Sequence, residues 1–455
     1  MSDLIRPLGE YLSLLEQEGL LADPVPDSLD RSAPVALVSC DSRNVVPGTL
    51  FLCKGSHFRE EFLEAARERG AFLYAGETIY PNCPLPGLRL TDLRRAMALL
   101  ADLCYGHPSG RLKVVGFTGT KGKSTSAYYL KSILDVWQAG QGRGETGVIS
   151  SIDTYDGVER FESHLTTPEP LDLQRHLAHA ADAGLEYLTM EVSSQALKYH
   201  RTLCTRFAAA CFLNIGYDHV SPVEHPDFED YFASKLKIFA QAGVNCVNLD
   251  SDHAGRILEA ARQAGKPVFT FSQRDPQVDI YASQVRKEDG QTVFHVRTPQ
   301  YEREFRLTMP GLFNVENALG VIAVCHALHV PPAAVYDGLV RARVPGRIPT
   351  PTPTAASTPL WTTPTTACPL RPCSAPSGRS TPAGRWPLCS AVPEKRRTTA
   401  AGIWARPPAT GATGSISPRR TVGRRTPWTS AGRSRRGTSP PTPSGGDRRR
   451  TPAGT

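Results

Sequence analysis

From Lys113 onward, short apolar runs alternate with longer segments whose apolar residues recur at helical spacing. The apolar runs are Val114–Phe117, Gly147–Ser150, Tyr187–Val192, Ala208–Ile215, Val244–Leu249 and Val268–Phe271. The helical segments extend from the first run to Trp137 and then cover Leu171–Ala183, Tyr231–Ala242 and Ala254–Ala264. Strands that alternate with helices predict a mainly parallel sheet with helices on both faces. Ligands of such sheets bind at the carboxyl ends of the strands.

Different patterns flank this region. The N-terminal part contains, in order, a helix near Pro7–Glu18, strands near Val35–Val38 and Thr49–Leu52, and a helix near Glu60–Arg69. Residues 278–308 switch to a period of two, which predicts a small antiparallel ribbon, and a helix at Asn314–His329 follows. We therefore predict an α/β chain with an N-terminal domain at residues 1–110 and a central domain at residues 111–345.

The composition changes after Arg347. Residues 348–455 hold 19 of the 39 prolines and neither Phe nor Tyr. Such a segment buries too little apolar surface to offset its ordering entropy, so we predict a disordered tail. This tail has 17 Lys and Arg against two acids, so the net charge of +8 for all 455 residues leaves −7 for the globular part. A mildly acidic globular part gives no indication of a nucleic-acid partner.

The N-terminus and the cysteines bear on the cellular compartment. No apolar run approaches the ~20 residues that span a bilayer, and M-S-D-L-I-R-P-L lacks the apolar segment of a signal peptide. The eleven Cys form no C-x-x-C pair, so we expect reduced, mostly buried thiols. These features predict a cytoplasmic chain with no membrane partner.

Residues 116–125, G-F-T-G-T-K-G-K-S-T, connect the first apolar run to its helix. Glycines in such a loop let backbone N–H groups face phosphate oxygens, and the helix N-terminus adds a positive dipole. Lys123 would reach the outer phosphates of ATP, and Ser124 would offer its hydroxyl to Mg²⁺. Phe117 stands where the generic motif has its first Gly, so only the G-K-S core matches. A plain turn is the alternative, but the flanking strand and helix favour a nucleotide site.

Polar residues follow two later strands, and two lysines lie on one later helical segment. Glu191 lies at a strand end in T-M-E-V-S-S-Q-A-L, where a carboxylate could complete a Mg²⁺ shell. Asp218 and His219 follow the next strand in N-I-G-Y-D-H, and Lys235 and Lys237 lie on the helical segment Y-F-A-S-K-L-K-I-F. Each residue alone also fits a solvated surface. Together, around one loop, they favour a shared site.

These strings resemble the muramyl ligases, ATP-dependent enzymes that add amino acids to UDP-N-acetylmuramate, and within them the synthetases that add the third residue. The strings that carry the resemblance are G-T-K-G-K-S at 119–124, T-T-P at 166–168, M-E-V-S-S-Q-A-L at 190–197, D-H at 218–219, S-K-L-K-I-F at 234–239, F-N-V-E-N-A at 313–318 and V-P-G-R at 344–347. D-S-R-N-V-V-P-G-T-L-F at 41–51 is similar to the uridine-binding opening of those synthetases. The resemblance covers about residues 1–347 and implies that the N-terminal domain binds the UDP end of the substrate.

The resemblance implies two Mg²⁺ sites and an ATP site. Ser124 and Glu191 would hold the first ion, and His219 would hold the second together with Lys235, which is carbamylated in this family. The implied catalytic residues are Lys123, Glu191, His219 and Lys235. The implied ATP-binding residues are Gly119, Thr120, Lys121, Gly122, Lys123, Ser124, Thr125, Asn314 and Asn317 near the adenine, and Arg347 at the domain hinge.

The resemblance also implies the substrates and the reaction. The implied substrate-binding residues are Ser42 at the UDP end and Thr166, Thr167, Ser193 and Arg201 at the muramoyl-dipeptide. The γ-phosphoryl group of ATP would pass to the D-Glu carboxylate of UDP-N-acetylmuramoyl-L-alanyl-D-glutamate, and a diamino acid would attack the acyl phosphate. The family implies a monomer. Gln195 departs from the His of many members, and V-S-P-V-E-H-P-D lengthens the loop after His219.

Three matters stay open from the residues. The diamino acid could be meso-diaminopimelate, lysine or ornithine. The chain could instead be a remnant that binds UDP-substrate and ATP without turnover. A relative of folylpolyglutamate synthase would share the loop at residues 116–125, called the phosphate loop below, but would not need the uridine-binding string at 41–51.

Family members continue after V-P-G-R into a third α/β domain with a D-Y-A-H-N segment, which this chain lacks in frame. Codons for L-W-T-T-P-T-T at 360–366, regrouped one base earlier, can spell V-D-Y-A-H-N, and the stretch after Pro387 can spell F-G-C-A-G-E-K. Several such matches in family order predict a frameshift near Ile348 and an inactive chain. An evolved basic arm is the alternative.

Overall fold

The computed structural model describes residues 5–55, 58–218, 220–221 and 224–346. All of them belong to one compact unit, Met1–Leu360. The predicted tail at residues 348–455 lies outside the described residues, and the domain boundary near residue 110 stays a prediction. None of the described helices combines the length and apolar composition that crossing a membrane requires.

The N-terminal part is a small parallel sheet with flanking helices. Its elements are β1 (Arg6–Pro7), α1 (Leu8–Gln17), β2 (Pro34–Val35), β3 (Leu37–Ser39), a 3₁₀ turn (Ser42–Asn44), β4 (Thr49–Leu52), α2 (Glu60–Glu68), β5 (Ala71–Gly76), β6 (Gly87–Arg89) and α3 (Leu93–Cys104). Strands β3 to β6 are parallel neighbours in that order, and β1 pairs antiparallel with β2. Helices α1 and α3 bury Leu12 and Leu100 against Leu50 and Leu73 of the sheet.

The remaining described residues form one large sheet and its helices. The elements are a 3₁₀ turn (Pro108–Arg111), β7 (Lys113–Thr118), α4 (Lys123–Ala139), β8 (Gly147–Ile149), β9 (Asp153–Tyr155), β10 (Arg160–Glu162), α5 (Pro170–Asp182), β11 (Tyr187–Glu191), α6 (Ser194–Lys198), β12 (Phe207–Phe212), α7 (Phe228–Leu236), a 3₁₀ turn (Lys237–Gln241), β13 (Asn245–Asn248), α8 (Ala254–Gln263), β14 (Val268–Ser272), β15 (Ile280–Glu288), β16 (Gln291–Arg297), β17 (Glu302–Leu307), α9 (Asn314–Ala327) and α10 (Pro332–Arg341).

The order of the strands in the large sheet explains where a ligand can bind. It is β10-β9-β8-β11-β7-β12-β13-β14-β15-β16-β17. All neighbours from β8 to β15 are parallel, and the strands beyond them pair antiparallel. The carboxyl ends of β7, β8, β11 and β12 therefore meet at one edge, where a ligand of an α/β sheet binds.

Alternate residues of the central strands pack into different cores. Phe117 of β7 packs with α4 and α9, whereas Val114 of the same strand packs with α5 and α7. This alternation follows from the period of two along a strand, and it buries both faces of the sheet. The sheet therefore holds the phosphate loop, which leaves β7, between two packed helical layers.

The predicted mixed α/β fold with a mainly parallel sheet is confirmed, and so is the antiparallel ribbon, formed by β15, β16 and β17. The helix predicted at Tyr231–Ala242 differs in its bounds. It begins at Phe228 because the Asp227 side chain accepts a hydrogen bond from the N–H of Asp230 (2.8 Å) and caps the helix, and its last part is the 3₁₀ turn. Helices α3 and α10 and the β9–β10 hairpin were not predicted.

Candidate active site

The phosphate loop has a backbone that only glycine fits at two positions. Gly119 has φ +151° and Gly122 has φ +88°. A Cβ at Gly122 would lie 2.1 Å from Oδ1 of Asn317, and a Cβ at Gly119 would lie 3.1 Å from the backbone N of Asn214. The G-T-K-G spacing therefore follows from close contacts as well as from the turn. Lys123 begins α4 directly after Gly122, so the helix N-terminus faces the loop.

Asn214, which follows β12, holds the loop in place. Its carbonyl accepts a hydrogen bond from the N–H of Thr120 (3.0 Å), its Oδ1 accepts one from the N–H of Lys121 (2.9 Å), and its Nδ2 donates to the carbonyl of Lys121 (3.2 Å). Lys121 also pairs with Asp218 (3.0 Å). Asn214 was not among the predicted site residues, although this residue begins the N-I-G-Y-D-H string at a strand end.

Two lysines donate to one carbonyl at the loop. Nζ of Lys123 and Nζ of Lys235 each lie 3.0 Å from the carbonyl oxygen of Gly119. Lys235 is 1% exposed, whereas Lys237 is exposed. Burial, and then the neighbouring charge of Lys123, hold the pKa of Lys235 well below its ordinary value, although Asp218 opposes the shift. Of Lys235 on α7 and Lys237 in the following 3₁₀ turn, only Lys235 is thus a buried amine with a lowered pKa.

Ser151 contacts both Ser124 and Glu191. The hydroxyl of Ser124 is 3.3 Å from the hydroxyl of Ser151. Oε1 of Glu191 accepts hydrogen bonds from the backbone N–H (2.8 Å) and the hydroxyl (3.0 Å) of Ser151. Both predicted residues are buried, Ser124 to 7% and Glu191 to 2% exposure. Ser151 follows β8, so a search of every strand end would have found it.

The T-T-P segment lies beside Glu191 and Ser193. The hydroxyl of Thr167 donates to the carbonyl of Glu191 (2.9 Å) and accepts from the N–H of Ser193 (3.1 Å). Arg201 donates to the carbonyl of Thr167 (3.1 Å) and pairs with Glu169 (2.7 Å). These contacts join the T-T-P string at 166–168 to the M-E-V-S-S-Q-A-L string at 190–197 and to Arg201.

One cavity connects this cluster to the phosphate loop. It has a volume of about 180 Å³ and is lined by Lys123, Leu165, Thr166, Thr167, Ser193, Ser194, Gln195, Arg201, Glu224 and Lys235. Gln195 donates to Glu224 across it (3.2 Å). The residues that the resemblance implied for phosphate and for dipeptide therefore line the same space.

Of the two asparagines of α9, Asn317 lies against Gly122 of the loop and Asn314 contacts Asn317. Nδ2 of Asn317 donates to Oδ1 of Asn314 (3.2 Å), and Nδ2 of Asn314 donates to the carbonyl of Pro310 (2.8 Å). Both side chains are buried, at 5% and 1% exposure. Thr125 is buried in the first turn of α4, next to the loop. Leu312 and Phe313, just before Asn314, are by contrast exposed.

Ser42 lies apart from the loop, in the N-terminal part. It lines a cavity of about 730 Å³ together with Asp41, Arg43, Lys54 and Phe58. Nζ of Lys54 donates to Oε2 of Glu169 (2.6 Å), so the same carboxylate contacts both Lys54 and Arg201. Lys54 and Glu169 were not predicted; Glu169 directly follows the T-T-P string. His219 and Arg347 lie outside the described residues.

A family model of the Mur ligase middle domain matches residues 117–325. The UDP-N-acetylmuramyl-tripeptide synthetase of Lactobacillus delbrueckii subsp. bulgaricus is 35% identical over 359 residues, which are 74% of this chain and 68% of that protein. The chain belongs to the Mur ligase family. Two other relatives are similar to this Mur ligase: the UDP-N-acetylmuramyl-tripeptide synthetase of Bifidobacterium longum (39% identity, 69% of this chain, 62% of that protein) and the UDP-N-acetylmuramoyl-L-alanyl-D-glutamate--L-lysine ligase of Enterococcus faecalis (37%, 76% and 66%).

Solved structures agree with this Mur ligase in fold. A UDP-N-acetylmuramoyl-L-alanyl-D-glutamate--2,6-diaminopimelate ligase superposes with a TM-score of 0.63 at 21% identity, over 75% of this chain and 67% of that chain. A UDP-N-acetylmuramoylalanyl-D-glutamyl-2,6-diaminopimelate--D-alanyl-D-alanyl ligase from Acinetobacter baumannii gives 0.51 at 21% identity, over 76% and 70%. This Mur ligase spans about two thirds of the length of the curated relatives it matches.

Proposed function

We propose that the chain carries the nucleotide and precursor sites of an ADP-forming amide ligase that adds a diamino acid to UDP-N-acetylmuramoyl-L-alanyl-D-glutamate. The cavity of about 180 Å³ carries this proposal, because Lys123 and Lys235 line it together with Thr167, Ser193 and Arg201. The γ-phosphoryl group and the acceptor carboxylate must meet in one place, and this cavity offers groups for both. The relatives named as tripeptide synthetases and as an L-lysine ligase support the same substrate.

Arg201 fits the role of holding the precursor. Its two terminal nitrogens bond to Glu169 and to Thr167, and within the described residues its buried Nε has no hydrogen-bond partner. A buried donor without a partner costs free energy until a ligand accepts from it. We propose that a carboxylate of the dipeptide accepts from Nε. Glu169 also holds Lys54 beside Ser42, so we propose that the UDP end lies in the larger cavity of the N-terminal part.

Lys123 fits the role of charge neutralisation at the phosphates. Its amine bonds to the carbonyl of Gly119 and, more weakly at 3.3 Å, to that of Thr120. These two acceptors hold the amine at the loop, from which it can turn to a phosphate oxygen. Asn317 lies beside the loop and Asn314 beside Asn317, and we propose that these two buried residues form one wall of the adenine pocket and that Arg347 also contacts the nucleotide.

Two buried side chains, Glu191 and Lys235, support the proposal of two magnesium ions. Glu191 is a buried carboxylate whose Oε1 is oriented by Ser151, and hard oxygen ligands suit Mg²⁺. The lowered pKa of Lys235 favours its neutral amine, the form that adds to CO₂ with loss of one proton and becomes a carbamate. We propose Ser124 and Glu191 for one ion, and carbamylated Lys235 and His219 for the other. When bound, the ions would neutralise negative charge on the transferred phosphoryl group.

We further propose that the residues after Ile348 are out of frame and that the chain as written binds both substrates without turnover. The test measures ADP release from ATP with UDP-N-acetylmuramoyl-L-alanyl-D-glutamate and L-lysine, meso-diaminopimelate or L-ornithine in parallel. We expect none from the chain as written and release with one of the three after the frame is restored. Turnover by the chain as written, or coding DNA with an intact frame at codon 348, would refute the proposal.

Binding measurements separate the ligase from its rivals. Isothermal titration of the chain as written should show binding of the UDP-precursor and of a non-hydrolysable ATP analogue. Binding of a folate without binding of the UDP-precursor would instead favour a folylpolyglutamate synthase relative. We also propose a cytoplasmic monomer that binds neither nucleic acid nor membranes, and sedimentation velocity should give a single species at the monomer mass.

A further inference from the structure

A cluster of four side chains with metal-binding atoms, three of them buried, lies outside the proposed active site. Asp156 and Glu159 belong to the turn between β9 and β10, and His176 and His179 lie three residues apart on α5. One ligand-type atom of each lies within 4.8 Å of the other three. The side chains of Asp156, His176 and His179 are 0%, 3% and 6% exposed. Proteins rarely bury such a group without a partner that satisfies it.

The turn aims the Asp156 carboxylate at the helix. Its Oδ1 accepts hydrogen bonds from the N–H groups of Val158 (3.0 Å) and Glu159 (2.7 Å). Its Oδ2 lies 2.6 Å from Nδ1 of His176 and 2.9 Å from Nδ1 of His179. The spacing of three residues places both imidazoles on one face of α5. Three atoms from two separate segments therefore converge on one point.

The Asp156 carboxylate lies beside two imidazole nitrogens, and carboxylate oxygen and imidazole nitrogen are ligand types that bind divalent cations. Glu159 adds a second carboxylate, and its Oε2 is held by Arg175 at 2.9 Å.

We propose that Asp156, Glu159, His176 and His179 form a structural Zn²⁺ site. Two imidazole nitrogens and two carboxylate oxygens are ligands that Zn²⁺ takes, and four protein ligands without an open position are typical of structural sites. Ligand atoms of a tetrahedral zinc site lie about 3.4 Å apart, given bonds of about 2.0–2.2 Å. The Asp156–imidazole distances are shorter, so binding requires the rings to move by less than about 1 Å. Each imidazole must also carry its proton on Nε2, which leaves Nδ1 free to bind the metal.

The position of the site gives it a structural consequence. It would tie the short β9–β10 hairpin, at the edge of the large sheet, to α5. Helix α5 begins at Pro170, directly after Glu169, the residue that holds both Lys54 and Arg201. The ion would therefore fix the helix that directly follows Glu169 and the T-T-P segment, whose Thr166 and Thr167 line the 180 Å³ cavity. This inference rests on the cluster alone and does not depend on the proposed reaction.

The test uses the full chain, stripped of metal with a chelator and titrated with Co²⁺ and then Zn²⁺. We expect one equivalent of Co²⁺ to give the strong visible absorption of a tetrahedral site and Zn²⁺ to displace it. His179→Gln should weaken Zn²⁺ binding at least about tenfold. His164→Gln is the matched control, because His164 is exposed on the segment that joins β10 to α5 and is not a proposed ligand. Glu191→Gln should leave the absorption unchanged, which places the ion away from the phosphate loop.

One further variant keeps the result decisive. Glu159 is partly exposed, so Glu159→Gln tests the site in a variant that retains the buried histidines, with circular dichroism to verify the fold. A wild-type chain without the absorption, or His179→Gln with the affinity of the wild type, would overturn the proposal and leave a hydrogen-bonded Asp–His cluster.

Discussion

Replacing Gly122 by Ala tests the phosphate loop most sharply. The substitution places a Cβ at a residue with φ +88°, where it would lie 2.1 Å from Oδ1 of Asn317. Asn317 is buried and donates a hydrogen bond to Asn314 (3.2 Å), so its side chain cannot move without losing that bond. The variant thus combines backbone strain with a steric clash at the nucleotide site.

The two costs can be estimated separately. A left-handed conformation costs a residue with a Cβ about 1–2 kcal/mol. Displacing Asn317 removes a hydrogen bond worth about 1 kcal/mol and crowds a buried site, so the total for Gly122→Ala is about 2–4 kcal/mol. Gly184 is the matched control, because its φ is +78° and nothing lies within 4 Å of its added Cβ. Gly184→Ala should therefore cost only the backbone part, about 1–2 kcal/mol.

Urea unfolding measures the free energy of each variant, and isothermal titration with a non-hydrolysable ATP analogue measures nucleotide affinity. Gly122→Ala should also weaken nucleotide binding at least about tenfold, because the N–H groups that would face the phosphates move with the loop. Gly184→Ala should bind the analogue as tightly as the wild type. In an Asn317→Ala background, Gly122→Ala should cost no more than the backbone part, since the clash is gone.

Two outcomes would contradict these expectations for Gly122→Ala. If Gly122→Ala costs no more than Gly184→Ala and the Asn317→Ala background makes no difference, Asn317 does not occupy the space beside the loop. If the stability falls as expected but nucleotide affinity is unchanged, the loop does not hold the nucleotide.

Four further predictions concern the candidate active site. Lys235→Met in a frame-restored chain should abolish ADP release, while Lys237→Met, at an exposed position in the 3₁₀ turn that directly follows α7, should leave it within about twofold, as a coupled assay would show. At pH values between the lowered pKa of Lys235 in the folded chain and its ordinary value of 10.5, Lys235 binds one more proton in the unfolded chain than in the folded one. The contribution of Lys235 to the free energy of unfolding of the wild type therefore rises with pH. Any stability advantage of Lys235→Met over the wild type near pH 7 should narrow near pH 9.5, as urea unfolding in CO₂-free buffer would measure. Arg201→Lys should raise the KM for the UDP-precursor at least about tenfold with little change in the KM for ATP, because an ammonium replaces the guanidinium that bonds Thr167 and Glu169; equal effects on both KM values would contradict its assignment to the precursor. Ser151→Ala should raise the Mg²⁺ concentration that half-saturates ADP release about tenfold, because it removes one of the two hydrogen bonds that orient the carboxylate of Glu191, and an unchanged value would show that the Ser151 hydroxyl does not orient it.

The sequence predicts the fold where the apolar pattern is long and regular. The alternation from Lys113 onward predicts the parallel sheet, and the period of two at 278–308 predicts the ribbon of β15 to β17. Short elements with mixed burial escape this approach. The β9–β10 hairpin has strands of three residues, and all residues of β10 are exposed, so no periodic pattern marks it.

The residues of the candidate site were likewise predicted only in part. The strings of Lys123, Glu191 and Lys235 stand out because each combines a strand end or helix face with a chemically suitable residue. Asn214 acts through hydrogen bonds to the loop, and Ser151 through hydrogen bonds to Ser124 and Glu191. Only the order of the strands in the sheet brings these residues together. Glu169 owes its position to contacts with Lys54 and Arg201, both distant in sequence, which no local pattern contains.

The proposed ligase activity can be measured as ADP release by the chain with its frame restored after codon 348. We expect release that requires ATP, UDP-N-acetylmuramoyl-L-alanyl-D-glutamate and a diamino acid together, and that disappears in Lys235→Met. Release that is independent of the UDP-precursor, or none at all from a repaired and folded chain that binds ATP, would contradict it.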